Sequence, residues 1–231
     1  IIHSLEERDF PVSELLPLAS TRSAGQKIEF DEQELLVQIA TPESFAGVDV
    51  AIFSAGSKAS EILAPKAVEA GCVVIDNSSQ WRMKEGIPLV VPEINPEQIA
   101  YYKDHGIIAN PNCSTIQMVM ALGPLHEKAG LKRVIVSTYQ AVSGAGKEGM
   151  DELSSQVSSL FNSLDFEPKK FSKQIAFNCI PQIDVFLDDG FTKEEHKMLH
   201  ETRKILGLPN LQVCPTCVRV PVFNGHAESI F

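Results

Sequence analysis

The chain has 231 residues, 44% hydrophobic and 22% charged, enough to build one large domain or two small ones. Its 20 basic and 30 acidic residues give a formal charge of −10, which argues against a general nucleic-acid-binding protein. No apolar run reaches the ~20 residues that a membrane-spanning helix needs. The five cysteines, with no signal-peptide pattern before them, indicate reduced thiols and a cytoplasmic protein.

The first half of the chain alternates between strand-like and helix-like segments, the pattern of a doubly wound α/β domain with a Rossmann-like sheet. Strands are predicted at 14–19, 48–54, 72–76 and 107–109, and helices at 59–70 and 96–105. Such a domain needs a glycine-rich phosphate loop after its first strand, and none is present. We therefore expect that loop upstream of Ile1, with residues 1–9 as the end of the helix it opens.

The pattern changes near Asn112, where we predict a domain boundary. The segments that follow predict an α+β domain with a mostly mixed sheet, built from helices at 114–129, 147–164 and 192–206 and strands at 133–142 and 213–223. The interpretation is an incomplete dinucleotide-binding domain at 1–112 and a catalytic and dimerisation domain at 113–231. Because the chain begins without Met and stops in an apolar stretch, we expect a fragment cut at both ends.

Turns of small polar residues follow three of the predicted strands, at 20–23, 54–57 and 76–79. Ligands of open α/β sheets bind at such strand ends, and an arginine in this position accommodates the 2′-phosphate of NADP. Arg22, between Ser20 and Ser23, fits that role. A surface turn that contains one arginine remains the alternative.

Cys113 stands at the predicted start of a helix, after Pro111 and Asn112. The positive end of the helix dipole and the free amides there are expected to lower the pKa of a thiol. The same amides could stabilise an oxyanion on a carbonyl that the thiolate attacks. The alternative is a small buried hydrophobic residue, the usual role of an isolated cysteine.

Arg219 and His226 lie seven positions apart, on an apolar strand and in the turn after it. A buried arginine needs an anionic partner, which a substrate carboxylate would supply through paired hydrogen bonds. A structural aspartate or glutamate would serve equally well. His226 is the candidate proton-transfer partner of Cys113.

Two other patterns, a cysteine pair and a histidine pair, have structural explanations. Cys214 and Cys217 form a C-x-x-C pair, but they begin a strand and lack further ligands, so they are predicted to be structural. His196 and His200 are four apart on a helix, yet the charged residues around them indicate a solvated face, and no metal site is predicted. Those charged neighbours are Lys193, Glu195, Lys197 and Glu201.

Along essentially its whole length the sequence resembles the aspartate-β-semialdehyde dehydrogenases. The matching stretches, in order, are ASTRSAG (19–25), DNSSQWR (76–82), VVPEIN (90–95), NPNCSTIQ (110–117), TYQAVSGAG (138–146), NCIPQID (178–184), TKEEHKM (192–198) and CVRVPVFNGH (217–226). NPNCST and RVPVFNGH are the most specific of them.

The resemblance implies an NADP-dependent enzyme that makes aspartate β-semialdehyde from β-aspartyl phosphate, in the biosynthesis of lysine and diaminopimelate, methionine, threonine and isoleucine. It also implies a homodimer or homotetramer, with no nucleic-acid or membrane partner. The implied roles are nucleophile for Cys113, substrate orientation for Gln140, acid/base for His226, the α-carboxylate for Arg219, the amino group for Glu194, the phosphate for Arg82, Lys197 and Asn112, and the cofactor for Arg22, Ser23, Ser20, Gly56, Ser143 and Gly144.

Two alternatives have different chemistry. An N-acetyl-glutamyl-phosphate reductase shares the plan, but its substrate nitrogen is acylated and has no use for an ammonium-binding Glu194. A non-catalytic dimerisation module on the same fold would be expected to lose part of the reactive set. Cys113, Gln140, Arg219 and His226 are all present.

Overall fold

The computed structural model describes all 231 residues, which form two compact units, 1–80 and 81–231. The domain boundary near Asn112 stays a prediction. The helices are α1 (Ile2–Glu7), α2 (Ser57–Glu69), α3 (Tyr102–His105), α4 (Cys113–Ala129), α5 (Lys147–Phe161) and α6 (Lys193–Ile205). The strands are β1 (Leu18–Ala19), β2 (Lys27–Phe30), β3 (Gln33–Leu36), β4 (Gln38–Ile39), β5 (Val50–Phe53), β6 (Val73–Asp76), β7 (Ile107–Ala109), β8 (Arg133–Gln140), β9 (Gln212–Arg219) and β10 (Ala227–Ile230). None of the helices combines the length and apolar character needed to cross a membrane.

Strands β5 and β6 with helix α2 form the predicted β-α-β element of the first unit. The two strands pair in parallel, from Val50 opposite Val73 to Phe53 opposite Asp76. Helix α2 connects them and buries Ala64 and Ala67 completely. A parallel pair requires such a crossover, and the apolar β5 and β6 segments predict it directly.

A hairpin of β2 and β3 was not predicted from the sequence. The two strands pair antiparallel around a turn at Asp31 and Glu32, both of which have positive φ. Glycine or asparagine usually fills such positions, so the turn lacks its ordinary sequence signal. The strand predicted at 14–19 is likewise reduced to β1, which pairs in parallel with β4.

The second unit contains a mixed sheet of β10, β8 and β9, in that order. Strand β8 runs parallel to β9 and antiparallel to β10. Its residues alternate between exposed and buried, so one face of the sheet lies against the core. That core combines residues of α4, α6, β8 and β9 and neighbouring segments: Met118, Leu122, Val134, Val136, Ile183, Met198, Leu211 and Cys217.

This packing determines where the polar ends of the elements lie. Gln140 pairs with Arg219 in the β8–β9 register, so both side chains stand at the carboxyl ends of parallel strands. Both are buried, at 1% and 6% exposure. Helices α4 and α6 contact each other and share the core beneath these residues. The beginnings of both helices therefore lie beside the two strand ends.

Candidate active site

Cys113 occupies the first position of α4, as predicted, and Asn112 caps the helix. The Asn112 side-chain oxygen accepts the backbone N–H groups of Ser114 at 3.0 Å and Thr115 at 3.2 Å. The backbone N–H of Asn112 itself donates to Glu201 at 2.6 Å. The N–H groups of Ser114, Thr115 and Asn112 therefore already donate to side-chain oxygens. The prediction that free amides at this helix start hold an oxyanion is corrected accordingly.

The amides at the helix terminus lower the pKa of Cys113, as predicted, but the expected net decrease is wrong because other effects outweigh them. Burial raises the pKa of its thiol, and the nearby carboxylate of Glu194 raises it further. The N–H groups of Ser114 and Cys113 lower it by less. The side chain is exposed, yet protein atoms around the sulfur remove enough water to disfavour the thiolate. In this arrangement the thiol is held protonated.

Gln140 and Glu194 join the start of α4 to the start of α6. The amide nitrogen of Gln140 donates to the hydroxyl of Ser114 and, at 3.4 Å, to Glu194. Glu194, 5% exposed, also accepts the side-chain amide of Asn112 at 2.8 Å. The structure therefore brings Asn112, Gln140 and Glu194 into one hydrogen-bond network beside Cys113.

His226 and Arg219 are both held by the backbone of Ala141, the residue that follows β8. The Ala141 N–H donates to Nδ1 of His226 at 3.0 Å, and the Ala141 carbonyl accepts Nη1 of Arg219 at 2.7 Å. Nδ1 is thereby an acceptor, so Nε2 bears the proton of the neutral ring. A Cβ added to Gly144 would lie 3.1 Å from Arg219 and 3.2 Å from His226, so glycine allows both side chains to approach this turn.

Arg219 is a buried cation without a carboxylate partner. No acidic oxygen lies within 4.0 Å of its guanidinium, so the structural ion pair considered as an alternative is absent. Burial lowers the pKa of Arg219, while the charges of Glu194 and Cys113 raise it. Burial and then Arg219 lower the pKa of His226. These mutual effects indicate that the four groups share one site.

Arg82 and Lys197 are each bound to carboxylates. Nη1 of Arg82 lies 3.0 Å from Glu201, and its Nε donates to the carbonyl of Asn110 at 2.9 Å. Nζ of Lys197 lies 2.9 Å from Asp184 and 3.1 Å from Glu194. Burial lowers the pKa of Lys197, but the two carboxylates outweigh it and the net shift is upward. Sequence reasoning missed both Asp184 and Glu201 as partners of these cations.

The solvated face expected on α6 is only partly present. His200 is exposed, and His196 pairs with Asp189 at 2.7 Å. Glu195 and Glu201, assigned to that face, are buried at 9% and 1% exposure. The spacing contained the signal: Glu201 follows Glu194 by seven residues, two helical turns, and so lies on the same face.

The predicted cofactor residues of the first unit lie in two turns. Backbone hydrogen bonds from Ser23 and Ala24 to the carbonyl of Ser20, at 3.0 and 3.1 Å, close the turn that presents the exposed side chain of Arg22. Gly56 precedes α2 with φ of +87°, a value that favours glycine. Helix α2 presents its N-terminal amides to an anion, so the turn at Gly56 suits a phosphate group, while the turn at 20–23 offers the charge of the exposed Arg22. Ser143 lies in the single turn of 3₁₀ helix at Val142–Ala145.

Cys214 and Cys217 point to opposite sides of β9. Cys214 is exposed, and Cys217 is fully buried in the core against Met198. Burial raises the pKa of Cys217 to about 12. Both thiols are free.

Glu228 on β10 is a further buried carboxylate that sequence reasoning missed. Neither of its oxygens has a hydrogen-bond partner within the protein. Burial raises its pKa to about 7, while the nearby polar groups of Gln117 and Ser114 lower it only in part.

Comparison with known proteins places both units in one family. Residues 1–102 match the model of the semialdehyde dehydrogenase NAD binding domain, and residues 122–231 match that of the semialdehyde dehydrogenase dimerisation domain. An aspartate-semialdehyde dehydrogenase from Aquifex aeolicus is 56% identical over 228 residues, which cover 98% of this chain and 67% of that protein.

Solved structures agree with that match. The crystal structure of aspartate semialdehyde dehydrogenase II complexed with ASA, from Vibrio cholerae, superposes with a TM-score of 0.98 at 54% identity, covering 99% of this chain and 68% of that one. The structure of aspartate semialdehyde dehydrogenase with NADP from Candida albicans gives a TM-score of 0.69 at 30% identity, covering 94% and 63%. The predicted fold class is thereby confirmed.

Proposed function

Because this chain belongs to the aspartate-semialdehyde dehydrogenase family of oxidoreductases, we propose that it interconverts β-aspartyl phosphate and aspartate β-semialdehyde with NADP, through a thioester on Cys113. The observation that supports this most directly is the placement of Cys113 at the start of α4, beside the network of Gln140 and Glu194 and electrostatically coupled to Arg219. The reaction belongs to the biosynthesis of lysine, methionine, threonine and isoleucine.

In the biosynthetic direction the sulfur of Cys113 attacks the acyl carbon of β-aspartyl phosphate. The S–C bond forms, the C–O bond to phosphate breaks, and inorganic phosphate leaves. Nε2 of His226 accepts the thiol proton after the ring releases the Ala141 N–H and carries its neutral-form proton on Nδ1, because a protonated Nε2 cannot act as a base. NADPH, when bound, supplies the hydride that reduces the thioester carbonyl. As the aldehyde forms, the Cys113 sulfur leaves and regains a proton from His226.

Each charged part of the substrate has a matching group on the protein. The guanidinium of Arg219 is buried without a carboxylate partner, so the substrate α-carboxylate completes its pairing. The buried carboxylate of Glu194 receives the substrate ammonium. This contact favours the present reaction over that of an N-acetyl-glutamyl-phosphate reductase, whose substrate has no ammonium. Arg82, Lys197 and Asn112 receive the phosphate.

The substrate ammonium has a second effect under this proposal. Glu194 raises the pKa of Cys113 although Lys197 already lies 3.1 Å from that carboxylate. A substrate ammonium bound to Glu194 neutralises that carboxylate and so lowers the pKa of the thiol. Substrate binding, rather than the helix terminus alone, then generates the thiolate.

The cofactor and the assembly are proposed on similar grounds. Arg22 is exposed, has no acidic partner within 4.0 Å and follows β1, which suits the 2′-phosphate of NADP. Ser20, Ser23 and Gly56 would line the dinucleotide, with Ser143 and Gly144 near its reactive end.

Residues 122–231 match a dimerisation domain, which supports a homodimer or homotetramer.

Trapping of the acyl-enzyme tests the proposed function. Enzyme incubated with aspartate semialdehyde and NADP, but without phosphate, should accumulate one acyl adduct on the peptide that contains Cys113. Inorganic phosphate should release it. Cys113→Ser should abolish both adduct and activity, whereas Cys179→Ser, at an exposed thiol, should leave both unchanged. Activity retained in Cys113→Ser, or an adduct on Cys179, would contradict the mechanism.

A further inference from the structure

Glu201 is a buried carboxylate in the third turn of α6 that the proposed reaction does not use. Its side chain is 1% exposed, and its two oxygens bind different partners. Oε1 accepts Nη1 of Arg82 at 3.0 Å, and Oε2 accepts the backbone N–H of Asn112 at 2.6 Å. One carboxylate therefore joins two segments that are distant from it in sequence.

Both partners of Glu201 lead to the reacting centre. Arg82 also donates Nε to the carbonyl of Asn110, so its guanidinium is held at two edges and its plane is fixed. Asn112 caps α4 and directly precedes Cys113. Its side chain is held in turn by Glu194, two turns before Glu201 on the same helix. Helix α6 therefore holds Asn112 by its backbone and by its side chain.

A charge at this position is costly for the fold. Burial raises the pKa of Glu201, and Arg82 with the Asn112 N–H only partly offsets that effect. Buried ion pairs contribute little net stability, and apolar side chains often replace them at no loss. Met198, one turn earlier on α6, shows that the helix packs apolar side chains against the same core. Stability alone is therefore a weak reason for a carboxylate here.

We propose that Glu201 is a positioning residue for the phosphate step: it orients Arg82 toward the phosphate and ties that arginine to the peptide that precedes Cys113. The inference rests on the proposed function, because it takes Arg82 as a phosphate ligand. The Glu201 side chain then links the phosphate bound by Arg82 to the position of the Cys113 sulfur. Under the proposed roles, the substrate carboxylate binds Arg219 and the ammonium binds Glu194, so Glu201 acts on the phosphate alone.

The substitution Glu201→Gln tests the link with almost no change in shape. An amide has one acceptor oxygen, so it can satisfy Arg82 or the Asn112 N–H but not both. The loss of one charge-assisted hydrogen bond corresponds to ~10–100-fold. We expect the KM for inorganic phosphate, in the direction that consumes aspartate semialdehyde, to rise by that factor. The KM for aspartate semialdehyde should change less than about threefold by the same reasoning.

A second measurement does not require turnover. Inorganic phosphate bound beside Cys113 should slow alkylation of its thiol by iodoacetamide. The phosphate concentration for half-maximal protection should rise in Glu201→Gln by the same factor as the KM. Glu201→Asp keeps the charge and should recover part of the phosphate affinity.

Glu195→Gln is the matched control on the same helix. Glu195 is also buried, but it caps α6 through Thr192 at 2.6 Å and binds the backbone N–H of Cys217 at 3.0 Å. Its loss should lower the melting temperature and leave the KM for phosphate unchanged. The inference is overturned if both variants raise that KM equally, or if Glu201→Gln does not raise it. Failure of the proposed function would instead appear as activity in Cys113→Ser.

Discussion

Arg219→Met should separate activity from stability. The guanidinium is 6% exposed, pairs with no carboxylate and donates one hydrogen bond, to the carbonyl of Ala141. That carbonyl keeps a second donor, the N–H of Gly144 at 3.2 Å, when the arginine is removed. Methionine occupies a similar volume without a charge to desolvate. Burial lowers the pKa of Arg219, the direction expected where removal from water disfavours the cation.

The two effects of Arg219→Met have different magnitudes. Loss of one charge-assisted hydrogen bond costs ~1.5–3 kcal/mol. Removal of the buried charge stabilises the fold by a comparable free energy, because the guanidinium no longer has to be desolvated. The free energy of unfolding should therefore stay within ~1 kcal/mol of the original or rise. The melting temperature should then fall by no more than ~4 °C. Loss of paired bonds to the substrate carboxylate should lower kcat/KM by ~10²–10³-fold.

Urea and thermal unfolding, measured beside steady-state kinetics, check this separation. Arg219→Lys serves as the comparison, since it keeps the charge but loses the planar fork and should recover little activity. A fall of the melting temperature by more than ~10 °C in Arg219→Met, with kcat/KM nearly intact, would show that Arg219 is a structural residue.

Three more predictions address proton transfer, cofactor choice and stability. His226→Asn should lower kcat by ~10²–10⁴-fold and remove the acidic limb of the pH profile of kcat/KM. In the original enzyme that limb should lie below the ordinary histidine range, because burial and Arg219 lower the pKa of His226. An acidic limb that is unchanged in the variant would argue against the proposed role of His226. Arg22→Ala should weaken NADPH binding by ~10–100-fold and NADH binding much less, as titration with each cofactor would show. Equal losses of affinity for the two cofactors would refute the assignment of Arg22 to the 2′-phosphate. Burial raises the pKa of Glu228 to about 7 from the ordinary 4.5 of an exposed glutamate, so the folded state holds the proton more tightly and stability should decrease as the pH rises from 4.5 to 7. Glu228→Gln should remove that decrease and stabilise the protein above pH 7 by ~1–3 kcal/mol in urea unfolding; a loss of stability there would disprove the assignment.

Local sequence patterns were sufficient for much of the fold and site. The apolar segments around β5 and β6 predicted the β-α-β element, and the polar residues before Cys113 predicted the start of α4. Those features depend on neighbours within a few residues. The turn at Asp31 and Glu32 escaped prediction because its residues adopt positive φ without the usual glycine.

Properties that arise from tertiary packing could not be predicted from local patterns. The sign of the Cys113 pKa shift depends on burial and on Glu194, which lies 81 residues further along the chain. The helix-terminus argument gave the opposite sign because it considered only the amides. Glu201 was assigned to a solvated face; its spacing from Glu194 places the two on one face, but only the tertiary structure shows that Arg82 and Asn112 bind it there.

The double contact at Ala141 has a consequence for how the enzyme tolerates mutation. Both atoms that fix His226 and Arg219 belong to the main chain of this residue, and every amino acid except proline provides both. A substitution other than proline therefore deletes neither contact, although Ala141 is fully buried and its neighbours would have to accommodate a larger side chain. The resting tautomer of His226, the proposed acid/base residue, is set by the backbone and not by the side chain of residue 141. Proline alone, which lacks the N–H, would free the ring to adopt either tautomer.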